Sequence, residues 1–216
     1  MSPASTRTTP SDDRPPEDRP PEDRPPEDRP SAIAAATRAL IVERGFEGLR
    51  TRDIADRVGI NIATLHYHVP GKARLIELVA ESLRDDFDAQ QARHPRAGMA
   101  PPARLERELL DFRDAFTEDP ERLVVMAELV QRARHDENVR AVLQPMLEGW
   151  LCHIQAILAD GTADGSFRAD ADPRACAQMI VAALMGFRRL PDAGPASFDA
   201  IARELLRGLA PADRKI

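Results

Sequence analysis

From residue 31 onward, apolar residues recur at helical spacing in one segment after another, separated by short runs rich in Pro, Gly, Asp or Asn. Ile33, Ala36, Leu40 and Ile41 mark the buried face of a first helix over residues 31–44, with Ser31 as its cap and Gly45 ending it. Phe46 and Leu49 then plug a small core. Ile54, Ala55 and Val58 give a short second helix, and Gly59 suits the turn after it because a residue without Cβ enters the left-handed region freely. Asn61 is placed to cap a third helix with Leu65 facing inward, stopped by Pro70-Gly71. A long helix starts near Lys72 and carries Leu75, Ile76, Val79, Leu83 and Phe87, enough length to leave one domain and enter a second.

Beyond a Pro- and Gly-rich break at residues 93–102, the pattern resumes with Leu105, Leu109, Phe112 and Phe116. Asp119-Pro120 opens a further helix with Leu123, Met126, Leu129 and Val130. A segment over 138–159 contains Pro145, which predicts a kink or a break there. After a Gly/Asp loop, Asp172-Pro173 opens a helix apolar nearly all round, which must be buried on several sides. A final helix over 197–209 carries Phe198, Ile201, Leu205, Leu206 and Leu209. Strand-like alternation is absent from the pattern, so the expected fold class is all-α.

The stretch 51–72, TRDIADRVGINIATLHYHVPGK, reads as two short helices at a tight turn. The second presents Ile62, Ala63, Thr64, His66 and Tyr67 outward, as a helix entering the DNA major groove would. The block over residues 33–76, with ERGFEG, then TRDIADRVG, then ATLHYH and, after three further residues, Lys72, resembles the N-terminal domain of TetR-family transcriptional regulators. The match is continuous over about a fifth of the chain. Two departures stand out. Ala63 takes the place where Gly often precedes Thr-Leu, and His66-Tyr67-His68-Val69 stands where Tyr-x-Tyr-Phe often follows.

The resemblance implies an N-terminal three-helix helix–turn–helix DNA-binding domain over residues 31–77 and a helical effector-binding and dimerisation domain over 78–216. It implies a homodimer that reads palindromic double-stranded DNA, most often as a repressor. Carried over position by position, it implies DNA contacts from Thr51, Arg52, Asn61, Ile62, Ala63, Thr64, His66, Tyr67 and Lys72. It further implies that the last two helices pair with their copies as a four-helix bundle, here through Met179, Ala182, Met185, Phe198, Ile201 and Leu205.

Composition adds a qualification. A formal net charge of −6 speaks against nucleic acid at first sight, but residues 31–80 hold seven Arg/Lys against five Asp/Glu, a small local excess of positive charge. The acidity is concentrated elsewhere, including residues 1–30, where three tandem RPPED units make an extended, disordered tail the expectation. Phosphate would repel that tail, which reads as a solubilising segment or else as a partner-binding or autoinhibitory one. Cys152 and Cys176 read as buried small hydrophobes, with a redox pair as the lesser reading. No secretory segment is visible and no run of 18 apolar residues occurs, so a cytoplasmic protein without membrane contact is expected.

Enzyme chemistry finds no footing. His66 and His68 diverge on a helix, Cys152, His153 and Cys176 complete no ligand set, and nothing pairs a nucleophile with a base. No cofactor is expected. Leu109, Phe112, Phe116, Met126, Leu129, Val130, Trp150, Ile154 and Ile157 would line an effector cavity, with His153, Gln155 and Gln178 as its polar groups; each position also reads as ordinary core packing. The effector is an unknown small molecule, and the acidic composition leans toward a cationic one. Two other readings stay open: a helical dimer acting through protein partners, and an effector-free DNA-binding regulator.

Overall fold

The computed structural model describes residues 29–211, and these are helical throughout apart from connections. The order is α1 (Arg29–Arg44), α2 (Thr51–Val58), α3 (Ile62–His68), α4 (Lys72–Arg93), α5 (Pro101–Glu118), α6 (Pro120–Ala133), α7 (Glu137–Ala163), α8 (Pro173–Phe187) and α9 (Pro195–Leu209). One turn of 3-10 helix, Phe46–Gly48, sits between α1 and α2. No helix among the described residues is long and apolar enough to cross a membrane. The tail expected to be disordered lies outside the described residues, except that α1 takes in Arg29 and Pro30. Ser31 is therefore inside the helix and does not cap it.

The helix starts follow local chemistry. Asp119, Asp136 and Asp172 each accept a backbone N–H of the turn they precede, and α5, α6, α8 and α9 open on a proline, which gives up a donor that has no helical partner there. Pro145 lies well inside α7, and the helix continues past it, so of the two expected outcomes, a kink or a break, the break does not occur.

Three apolar clusters hold the chain together. Ile33, Leu40, Ile54, Leu65 and Leu75 close the helix–turn–helix head. Burying a side chain such as Leu65 contributes roughly 2 kcal/mol. A second cluster joins Ile41 of α1, Phe46 of the 3-10 turn and Ile76 and Val79 of α4 to Val125, Leu129, Val139 and Leu143 of α6 and α7. A third fills the C-terminal half around Leu105, Ile154, Ile180, Phe187 and Phe198. α8 departs from the sequence expectation on one side: Ala175, Met179 and Ala182 stand in solvent in the single chain.

Candidate functional site

The head is built to hold α3 outward. Gly59 takes φ 74° and ψ 32°, a left-handed turn that reverses the chain after α2. Asn61 then accepts the Thr64 N–H at 2.8 Å, capping α3. Leu65 and Val69 point into the core. Arg57 donates twice to Glu43, at 2.7 and 2.9 Å, and Arg44 donates to Asp53 at 2.6 Å, so α2 is tied to α1 by two ion pairs. The Arg57 guanidinium holds the Glu43 carboxyl below the ordinary carboxylate range, and the pairing raises Arg57 in turn.

With the inner face so fixed, the outer face of α3 is open. Ile62 is 41% and Tyr67 84% exposed, so α3 leaves two large side chains together in solvent. Asn61, Ala63 and His66 are exposed beside them, and Thr64 is half-buried. Thr51 is the first residue of α2, and it and Arg52 are exposed; Arg52 makes no ion pair with another described residue. Arg50, extended at the N-cap of α2 and also exposed, extends this cationic edge. Nothing in its sequence spacing sets it apart. Lys72 is exposed as well, and its Nζ sits 4.6 Å from the Phe46 ring centroid, a contact with no sequence signal.

The second candidate site is a cavity of about 730 Å³ bordered by α4, α5, α6, α7 and the end of α8. Of the expected lining, Phe112, Met126, Val130, Trp150 and His153 are there. Leu109, Leu129, Ile154 and Ile157 are instead buried core residues, each 1% exposed or less, because helical periodicity identifies an inward side chain without telling a filled centre from a void. Phe116 packs edge-on against Phe187 and lies outside the lining, as do Gln155 and Gln178. The Phe112 and Trp150 rings are near-parallel with centroids 6.5 Å apart.

Unforeseen polar groups complete the wall. Glu108, buried, forms an ion pair with Arg96 at 2.8 Å and bonds His153 Nε2 at 2.9 Å. Asp111, also buried, pairs with Arg96 and with Arg107, the latter at 2.8 Å. Burial pushes the nearby Arg122 guanidinium below its ordinary value; it donates to Gln90 at 2.8 Å and covers the Phe87 ring. Among the described residues, no group of three His, Cys, Asp or Glu is arranged to hold a metal.

The expected interface residues divide. Met179 is 54% exposed, and with exposed Ala182 it lies on the outward face of α8; Met185 is half-buried and lines the cavity. Ile201 and Leu205 are half-buried beside a groove between α8 and α9. Phe198 is buried in its own chain, stacked on Phe112 and edge-on to Phe187, and has no surface to offer a partner. Cys176 is buried, but Cys152 is exposed.

Residues 33–79 match the family model described as bacterial regulatory proteins, tetR family. Residues 101–211, more than half of the chain, match that of the BetI-type transcriptional repressor, C-terminal. Solved structures of similar fold include a TetR-family regulator from Rhodococcus sp., 24% identical over 84% of this chain and 98% of that one, with a TM-score of 0.77. A transcriptional regulator from Saccharomonospora viridis in complex with choline is 20% identical over 83% and 96%, with a TM-score of 0.74. AibR in complex with isovaleryl coenzyme A and operator DNA is 21% identical over 84% and 98%, with a TM-score of 0.68.

Proposed function

The chain belongs to the TetR family of bacterial transcriptional regulators, and on that footing we propose that it is a homodimeric repressor released from a palindromic operator by a small-molecule effector. The observation that carries the reading is the outward face of α3, where a capped, core-anchored helix leaves Ile62 and Tyr67 in solvent. A large exposed surface of this kind on a short helix suits a major groove, with Ile62 and Ala63 against thymine methyl groups and Tyr67 and His66 against phosphate or base edges. Thr51, Arg52, Asn61 and Lys72 would contact the flanking backbone.

The two similar structures holding choline in one case and an acyl coenzyme A with operator DNA in the other support an effector in the cavity of this chain and DNA at its head. Release follows from geometry. α4 lines the cavity with Glu77, Glu81, Arg84 and Phe87 and begins, at Lys72, directly after the recognition helix. An effector that binds one tilt of α4 better than another shifts the separation of the two recognition helices, and only one separation fits successive major grooves.

The test uses DNA fragments that co-purify with the protein. A palindromic site is expected among them. On that site, Arg52→Ala and Tyr67→Ala each weaken binding, measured by fluorescence anisotropy at fixed salt, by about tenfold or more. Unchanged affinity in both variants would overturn the reading.

A further inference from the structure

The charges around the cavity are not equally free. Its buried carboxylates are occupied: Arg96 pairs with both Glu108 and Asp111, His153 adds a bond to Glu108, and Arg107 adds one to Asp111. On α4, Glu77 and Glu81 both pair with Arg74, each at 3.0 Å. Asp88 is the one lining carboxylate without an ion pair among the described residues. The guanidiniums stand differently. Arg84 and Arg189 line the cavity, are exposed, and make no ion pair with a described residue. Arg188, next to Arg189 in the chain, makes no ion pair with a described residue; it donates to the Pro120 carbonyl at 3.3 Å and rests over the Phe116 ring.

Deep in the cavity a cationic ligand would therefore compete with Arg96 and His153 for Glu108, and displacing either breaks up a buried pair, which leaves it exposed Asp88 alone against three guanidiniums without an ion pair. An anionic ligand meets guanidiniums whose donors are open to it. These sit at the solvent side, where a charged head group keeps part of its water, while the interior wall of Met126, Val130, Met146 and Trp150 takes an apolar body. The volume of about 730 Å³ is that of a site for a molecule of drug size. We propose that the cavity binds an amphipathic organic anion, an apolar chain or ring system ending in a carboxylate or phosphate, with Arg84 and Arg189 holding the head group. This rests on the effector reading above and names the ligand class for that site, against the cationic lean of the overall composition.

The chain has a single tryptophan, Trp150, and it lies in the cavity wall, so its emission reports occupancy of the site. Three probes with one alkyl chain and different heads separate the possibilities: decanoate, decyltrimethylammonium and decanol, each titrated into the full chain. Decanoate is expected to give a saturable change with a Kd about tenfold or more below that of decyltrimethylammonium. The double variant Arg84→Ala/Arg189→Ala should weaken decanoate by about tenfold and leave decanol unchanged, the latter serving as the control for an intact cavity. An ammonium probe that binds as tightly as decanoate, a variant that binds decanoate like the parent, or no saturable response to any of the three would overturn the proposal. The titration contains no DNA, so its failure is distinct from failure of the operator-binding test.

Discussion

Asn61 shows how one side chain serves two ends. Its Oδ1 satisfies a backbone donor that the start of α3 would otherwise leave free, and the same residue stands at the edge of the exposed face. Asn61→Ala should cost about 1 kcal/mol in urea unfolding, and an unaltered midpoint would mean the cap contributes nothing. Tyr67→Ala, at a site 84% exposed, serves as the contrasting change that leaves stability in place. The Glu43–Arg57 pair adds a pH dependence. Because the hydrogen bond from Arg57 lowers the folded-state pKa of Glu43, its contribution is complete above the ordinary glutamate range and is lost as pH falls through the depressed value. The thermal stability of the parent should therefore exceed that of Glu43→Gln at neutral pH, and the gap should close in acid. A gap that stays constant down to low pH would show that the pair is idle, as exposed ion pairs often are.

At the scale of elements, α6 is the helix with two audiences. One face gives Leu123, Met126 and Val130 to the cavity. The other reaches the turn before α2: Glu128 accepts the Phe46 N–H, Arg132 pairs with Glu47, and the Arg132 guanidinium lies 5.5 Å from the Phe46 ring centroid. Phe46 is thus held between Arg132 and Lys72, a packing that sequence spacing cannot announce because the three residues come from different elements. α7 owes its seating to a missing side chain. Gly161 is buried with the Phe167 ring lying where a Cβ would go, and Phe167 itself is 3% exposed. Gly161→Ala should destabilise the fold by about 1–3 kcal/mol through overpacking, read as a lowered melting temperature; a variant as stable as the parent would mean the ring can step aside.

For the molecule as a whole, the cluster joining Ile41, Phe46 and Ile76 to Val125, Leu129 and Val139 makes the head and the second domain share a core. A division at residue 77 falls inside α4, between Ile76 and Val79, which both belong to that cluster. A head of some fifty residues buries too little surface to stand well alone, and here it leans on α6 and α7. The uncovered side of α8 has the opposite meaning. Met179 and Ala182, with Ala175, project from the side of α8 turned away from the core, which suits a twofold partner. Met179→Asp, at a side chain more than half exposed in the single chain, should raise the dissociation constant of the proposed dimer about tenfold or more in sedimentation analysis, with operator affinity falling in parallel. An undisturbed dimer would place the interface elsewhere.

Local chemistry determined a good deal by itself. Helix starts at Asp119-Pro120 and Asp172-Pro173, the left-handed Gly59, the Asn61 cap and the inward Leu65 each depend on residues within a turn or two, where spacing and backbone preference act. What only the tertiary structure decided is which inward side chains meet one another and which border empty space. Leu109 and Phe112 have the same periodicity, yet one fills the core and the other faces the cavity. Phe198 and Met179 both sit on apolar C-terminal helices, yet one is sealed by Phe112 and Phe187 and the other lies in solvent. Burial depends on what packs opposite, and that partner comes from a distant part of the chain. The pairing of Glu108 with Arg96 and His153, which leaves the rim arginines and Asp88 as the lining charges without an ion pair among the described residues, is settled in the same way.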